Sequence, residues 1–319
     1  MILILTDAHD PHADSVISHL DELGKPYFRF NIDVKSLLAT KIFFDGDIWW
    51  IEQNKSCASS ESIKCIWARR LTVSLDLEQQ TGNEDSGFRL WRSEWNRCLY
   101  GLYTSLRGRA WINPIGPASL MDNKYFQMSA ARAAGFQIPD LITSNVKASL
   151  IDFSSHSSAA LKFMSQDVYK SEDGTFSGIY VNRISAIDLN DFPDYGENPL
   201  TLQRYIEKDF EVRYTYVDGE HFGCKIESQK SERAKVDWRR YDLKNTPHYL
   251  IDAPDDIRCS VNRLMNDVGL FYGAFDFIVD TSQRWWYLEV NTAGQWLWIE
   301  DLVGVPISAT LAKSLAARI

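Results

Sequence analysis

The chain has 319 residues, is 45% hydrophobic and 24% charged, and carries a formal net charge of −9. That composition suits a globular protein with a substantial core, and the acidic balance argues against nonspecific nucleic-acid binding, which leans on many Lys and Arg contacts to phosphate. No apolar run approaches the roughly 18 residues of a membrane span, and five scattered cysteines without a CxxC pair point to reduced thiols in a cytoplasmic setting.

Residues 1–5 form a short apolar run that meets acids at once, with no basic leader before it. They read as a first strand and not as a signal peptide. Residues 11–23 suit a helix with Val16, Leu20 and Leu23 on one face. Gly24, Lys25 and Pro26 break that pattern, residues 27–31 resume as a strand, and the β–α–β opening predicts a small α/β domain. Further strands are expected at 42–51 and at 65–67, a long helix over 88–106, and a short strand at 111–113 that ends at Pro114.

A second unit opens at Ser119. The pattern Leu120-x-x-Asn123-Lys124-x-x-x-Met128-x-x-Ala131 is helical, with Gly135 to close it and Pro139 beyond. Strands follow at 142–143 and 160–163, the latter holding Lys162, with a loop or helix start at 154–158 between them. The turn-rich SEDGTFSG lies between 168–170 and 179–181 and predicts a hairpin or mobile loop. From about Leu200 the pattern predicts strands at 201–205, 211–217 and 221–228, a helix near 255–268, a hairpin within 272–291 and a helix over 306–319. The expected domains are 1–117, 118–199 and 200–319.

The hairpin is the most informative segment, because YGAFDFIV and RWWYLEVN carry Asp276, Glu289 and Asn291 inside otherwise apolar strands. A buried carboxylate is costly unless a cation compensates it. Oxygen-only ligands favour Mg²⁺, which usually accompanies phosphates. Alternation puts Glu289 and Asn291 on one face. An even loop would set Asp276 opposite Tyr287 on that same face, whereas a one-residue slip would turn it away. A solvated strand face is the bland alternative, disfavoured by flanking Trp285, Trp286 and Leu288 and by the lack of alternating Lys or Arg.

Other residues have weaker signals. Lys162 on an apolar strand needs an anion, either a phosphate or a structural carboxylate. Lys124 reads equally well as an ordinary helix-surface lysine. Arg213 shares a strand face with Glu211 and can bridge to a phosphate or a carboxylate. Asp237-Trp238-Arg239-Arg240 lies in a polar loop suited to covering a triphosphate, or simply solvated. The chain has no Walker A motif, no GxGxxG and no nucleophile elbow, and its six histidines lack HExxH or HxH spacing.

Taken in order, Asn123-Lys124, Lys162, Gln203-Arg204-Tyr205-Ile206, Glu211-Val212-Arg213, Asp237-Trp238-Arg239, and Asp276 with Glu289-Val290-Asn291 resemble an ATP-grasp ligase. Trp67-Ala68-Arg69-Arg70, the Asp-Trp-Arg loop and GQWLWIE at 294–300 more narrowly resemble the microviridin-type, or graspetide, macrocyclases. The resemblance implies an α/β (α+β) multidomain ATP-grasp fold with an N-terminal α/β pre-ATP-grasp domain, and ATP between the central and C-terminal domains. It implies that Asp276, Glu289 and Asn291 hold two Mg²⁺, that Lys124 and Lys162 contact phosphates, and that Arg213 and Arg239 serve catalysis near the γ-phosphate and acyl acceptor. Gln203, Arg204, Tyr205 and Ile206 would form the nucleotide hinge, with adenine on the backbone of the last three, and Glu211 would bind the ribose. Arg204 departs from the pattern, where an acid is usual.

The implied partner is a ribosomal precursor peptide whose leader docks on the central domain, with 168–183 as the natural contact. Its acidic side chains would be joined to hydroxyls or amines as ω-esters or ω-amides. Trp296, Trp298 and Glu300 either line the acceptor side or pack beneath the hairpin. A homodimer is common in this family, and no nucleic acid or membrane is implied. A ligase adding free amino acids and a non-catalytic ATP-binding scaffold are the competing readings.

Overall fold

A computed structural model describes every residue except 83, 156, 165–167, 171–173, 179–180, 237 and 239–241. The N-terminal part comprises β1 (Ile2–Thr6), α1 (Pro11–Glu22), β2 (Tyr27–Asn31), α2 (Val34–Leu38), β3 (Lys41–Phe44), β4 (Trp49–Gln53), β5 (Ser56–Ser59), β6 (Cys65–Ala68), α3 (Leu77–Thr81), α4 (Ser86–Ser105) and β7 (Ala110–Ile112). A parallel sheet in the order β2-β1-β6-β7 is its frame. Every residue of β1 is buried, as expected of a parallel strand covered on both faces. Asp10 accepts from the His12 N–H and Pro11 opens α1, so the chain turns straight from strand to helix. Residues 42–51 are a hairpin, not one strand: Asp45 accepts from the N–H groups of Asp47 and Ile48 and breaks the run between β3 and β4.

The helical pattern from Leu120 onward belongs to two helices, α5 (Ile115–Asp122) and α6 (Lys124–Ala134). Asn123 ends the first and caps the second, accepting from Tyr125 and Phe126 N–H at 3.0 and 3.1 Å. Gly135, at φ 98°, closes α6 in the left-handed conformation that glycine adopts without steric cost. Pro117 lies inside α5. Next come β8 (Leu141–Val146), α7 (Lys147–Ser155), β9 (Ala159–Lys162), β10 (Val168–Lys170), β11 (Phe176–Gly178), β12 (Asn182–Ile184) and β13 (Tyr195–Arg204). Four of these strands form an antiparallel sheet, β12-β9-β13-β8, over a small core of Leu150, Ala159, Leu189 and Leu202. The strands β10 and β11 pair as a hairpin; of the expected strand 179–181, residues 179 and 180 lie outside the described residues.

The last part holds β14 (Lys208–Val217), β15 (Glu220–Ile226), β16 (His248–Leu250), α8 (Asp255–Val268), β17 (Tyr272–Asp280), β18 (Trp285–Asn291), α9 (Leu297–Val303) and α10 (Ile307–Ala316). Its antiparallel sheet runs β16-β15-β14-β17-β18. Phe275, Phe277, Tyr287 and Val290 point from one face into a core with Met128 and Ala131 of α6 and Val261 and Leu264 of α8. Ala274, Tyr272 and Val217 join a different core, shared with Ile2, Ile4 and Trp67 of the parallel sheet and with Leu311 of α10. The N-terminal unit and the acid-bearing hairpin are therefore packed on one continuous apolar block. No helix among the described residues is long and apolar enough to cross a membrane.

Candidate metal and nucleotide site

The hairpin register differs from the expected one, and the difference matters to the site. Val279 pairs with Trp285 and Phe277 with Tyr287, so the regular ladder would set Asp276 opposite Leu288 and point it away from Glu289. A bulge at Leu288 intervenes, and Asp276 pairs with Glu289 and Ala274 with Asn291. The expectation that Asp276 lies opposite Tyr287 is corrected: Tyr287 is on the other face, fully buried in the core. One extra residue in β18 thus restores Asp276, Glu289 and Asn291 to a common face, the re-aiming for which bulges near sites are known.

Two carboxylates placed directly opposite repel each other. Here each meets a cation. Arg213, opposite Asp276 on β14, donates from Nη1 to Asp276 Oδ2 at 2.8 Å. Lys124 Nζ donates to Glu289 Oε2 at 2.8 Å. Lys124 is the first residue of α6, where the helix dipole disfavours a positive charge, and Glu289 accounts for its standing there. Burial works against the Arg213 charge, but Asp276, Tyr272 and Glu289 together outweigh it and hold the guanidinium above its ordinary pKa. Arg213 Nε is buried with no acceptor among the described residues. The donor set is all oxygen, with an amide as its third member; no group of three or more His, Cys, Asp or Glu is found among the described residues. That set suits a hard cation such as Mg²⁺.

Beside these acids lies a cleft of about 650 Å³, its open mouth included, lined by Lys124, Met128, Arg132, Leu141, Lys162 and Gln203 among others. Lys162 on β9 pairs with Thr201, and Gln203 on β13 pairs with Ala160, which brings both side chains to the cleft. Gln203 is buried, and its Nε2 has no acceptor among the described residues. An amide donor and two lysines converging on one cleft leave room for a polyanionic ligand.

The segment expected to form a nucleotide hinge is partly committed already. Arg204 N–H donates to Asp140 O at 2.7 Å and Tyr205 N–H to Ser158 O at 3.1 Å. The Arg204 guanidinium bonds Ser157 Oγ and lies 5.0 Å from the Phe153 ring centre, so the basic residue in the acid's position turns to α7 and the segment after it. Glu211 is buried, with Oε1 held by Lys208 at 2.8 Å, and Lys208 also reaches Val236 O at 3.0 Å. Arg239 lies outside the described residues.

The loop after Asn291 is held carbonyl by carbonyl. Asn113 donates to Thr292 O, Arg69 to Ala293 O, Tyr272 to Gly294 O and Arg213 to Gln295 O, at 2.9, 2.7, 2.8 and 3.3 Å. Trp296 follows this loop and is fully buried against Trp67, Tyr272 and His12, with Nε1 on Ser308 Oγ. Glu300 also binds Ser308. Of the two readings left open for these residues, packing beneath the hairpin therefore holds for Trp296, and Trp298 packs on Trp238 at 5.1 Å. The sequence reading passed over Gln127, which is fully buried and links α6 to Tyr287 and to both backbone groups of Val290. A glutamine on the apolar face of a helix was the available signal. Asn113, which uses both ends of its amide twice, carried no comparable one.

Residues 1–118 match the family model of the MvdD pre-ATP grasp domain. Among solved structures, the chain is similar to a Chryseobacterium gregarium RiPP-associated ATP-grasp ligase, in complex with ADP and a leader and core peptide. Identity is 26%, TM-score 0.87, and the match covers 100% of this chain and 97% of that one. It is similar also to the macrocyclase MdnC of Microcystis aeruginosa MRC, bound with precursor peptide MdnA, at 26% identity and TM-score 0.85 with 100% of both chains covered. The macrocyclase MdnB of the same organism matches at 25% identity and TM-score 0.75, over 98% of each chain. No curated protein sequence matches significantly.

Proposed function

This chain is an ATP-grasp ligase of the microviridin/graspetide family of macrocyclases, and on that premise we propose that it activates acidic side chains of a ribosomal precursor peptide as acyl phosphates and closes them into ω-ester or ω-amide rings. The observation that carries this reading is the common face of Asp276, Glu289 and Asn291, bordered by Arg213 and by Lys124, which also lines the Gln203 cleft.

A carboxylate is a poor electrophile because its oxygen leaves badly. In the proposed sequence, a peptide carboxylate oxygen attacks the γ-phosphorus of ATP and ADP departs. A hydroxyl or amine then attacks the acyl carbon, loses its proton, and releases phosphate. Lys124 and Lys162 bind the phosphates, and Arg213 and Arg239 compensate charge near the γ-phosphoryl. Mg²⁺, two ions in this reading, would be held by Asp276, Glu289 and Asn291 and would supply neutralising charge to the phosphate oxygens. Glu211 receives the ribose. With Arg204 and Tyr205 N–H already committed, the adenine edge falls to the Ile206 backbone.

The leader peptide docks along 168–183, where Lys170 is tied to Glu78 of α3 at 2.7–2.8 Å. Five free cysteines accord with a cytoplasmic setting. The reading includes a homodimer, the domain division 1–117, 118–199 and 200–319, and no nucleic-acid or membrane partner. Incubation with Mg²⁺, ATP and a precursor peptide tests it. Each link lowers the peptide mass by one water, whereas a gain of one residue would identify a ligase that adds amino acids.

A further inference from the structure

We infer that Arg69 is a positioning residue for the metal site: from the N-terminal unit it fixes the loop 292–295, and through that loop the side chains of Asn291 and Arg213. The inference deepens the proposed function and rests on it.

Arg69 follows β6 and is only 5% exposed. Its guanidinium serves the acid and the loop at once, with Nε on Asp10 Oδ2 at 3.1 Å and Nη1 on Ala293 O at 2.7 Å and Gly294 O at 3.5 Å. Asp10 is itself anchored by Thr6 Oγ1 at 2.8 Å. The Trp296 ring, 5.1 Å from the Arg69 Cζ, offers the cation an aromatic face. The planar fork is therefore set by a fixed acid on one edge and a fixed ring nearby, and its remaining edge aims at the loop.

The loop transmits that position to two groups of the site. Ala293 N–H donates to Asn291 Oδ1 at 3.3 Å, and Gln295 O receives Arg213 Nη2 at 3.3 Å while Arg213 Nη1 holds Asp276. There is no slack between loop and guanidinium: a Cβ on Gly294 would lie 2.8 Å from Arg213 Nη2 and 2.5 Å from Ala274 Cβ. A shift of Ala293 therefore moves the Asn291 amide and the Arg213 fork together. Groups that orient first ligands in this way are worth about 10–100-fold in metal affinity.

Arg69→Lys tests this in the full chain, because lysine keeps a cation for Asp10 but cannot span both partners. Mn²⁺ binding is counted by electron paramagnetic resonance with ADP present, alongside ADP affinity without metal and the kinetics of ADP release. We expect wild-type circular dichroism, metal-free ADP affinity within about twofold, Mn²⁺ affinity weaker by about tenfold, and a loss in kcat larger than any change in KM for ATP. Mn²⁺ affinity and kcat within about twofold of wild type, with only a lowered Tm, would make Arg69 a structural tie and overturn the inference. If Arg69→Lys does not fold, the double variant Asp10→Asn/Arg69→Gln, which leaves no uncompensated buried charge, takes the same measurements. Failure of both to fold also overturns it. Wild type and Glu289→Gln run in parallel: a wild type that binds no Mn²⁺ refutes the metal reading itself, independently of Arg69.

Discussion

Glu289 stands directly across the hairpin from Asp276, a pairing that exists because Leu288 is bulged out of the ladder. Each acid has its own counter-cation, Lys124 for Glu289 and Arg213 for Asp276. These two pairs leave the face locally neutral, and in the proposed reading bound Mg²⁺ and ATP would compete with them for the acids and the cations.

Glu289→Gln removes one ligand charge while keeping the shape. The expected outcome is a folded protein with no ligation, read by circular dichroism and by the mass of the peptide product. Retained ligation would remove Glu289 from the metal site.

Gly294→Ala places a methyl group 2.5 Å from Ala274 Cβ and 2.8 Å from Arg213 Nη2. Overpacking of this kind costs about 1–3 kcal/mol, measurable as a lower urea midpoint with unchanged slope. Turnover should fall as well, since Arg213 must give way. Wild-type stability and rate together would show that the loop is looser than its contacts imply.

His12 is buried against Trp296, and burial with the Arg69 charge lowers its pKa from 6.5 to about 4. The unfolded chain therefore binds the proton first, so stability declines as pH falls below about 6.5 and continues to decline to about 4; at pH 5 the loss is about 2 kcal/mol. Asp10 adds to this at lower pH. Burial would raise its pKa, but Arg69 outweighs burial and holds it at about 2, so its contribution is lost as pH falls from near 4 toward 2. Urea titrations of His12→Phe should show a flatter pH dependence between 6.5 and 5 than wild type. An unchanged slope would assign the effect elsewhere.

Arg239→Ala is expected to lower turnover more than it weakens ATP binding. Stopped-flow phosphate release and nucleotide titration separate the two, and the reverse ranking would make Arg239 a binding residue only.

Much of this architecture was legible in the chain. The apolar run of β1, the Asp10-Pro11 helix start and the Gly135 stop are local signals, and local physics decides them. The three candidate oxygen ligands stood out because carboxylates among tryptophans need a reason. Their register was not legible, since a bulge at Leu288 leaves no mark on alternation that one sequence can reveal. Nor was the role of Asn113, whose partners lie 158–179 residues away, or of Arg69, which reaches Ala293 224 residues away; these become neighbours only through the shared core. Asn123 shows the opposite error: a helical period ran through a residue that both ends one helix and caps the next.

The central claim is that ATP energises a peptide carboxyl by phosphorylating it. A precursor peptide carrying ¹⁸O in its acidic side chains, incubated with the enzyme, Mg²⁺ and ATP, tests this atom by atom. Phosphate released during ring closure should carry one ¹⁸O for each link formed. Unlabelled phosphate accompanying rings would contradict the account.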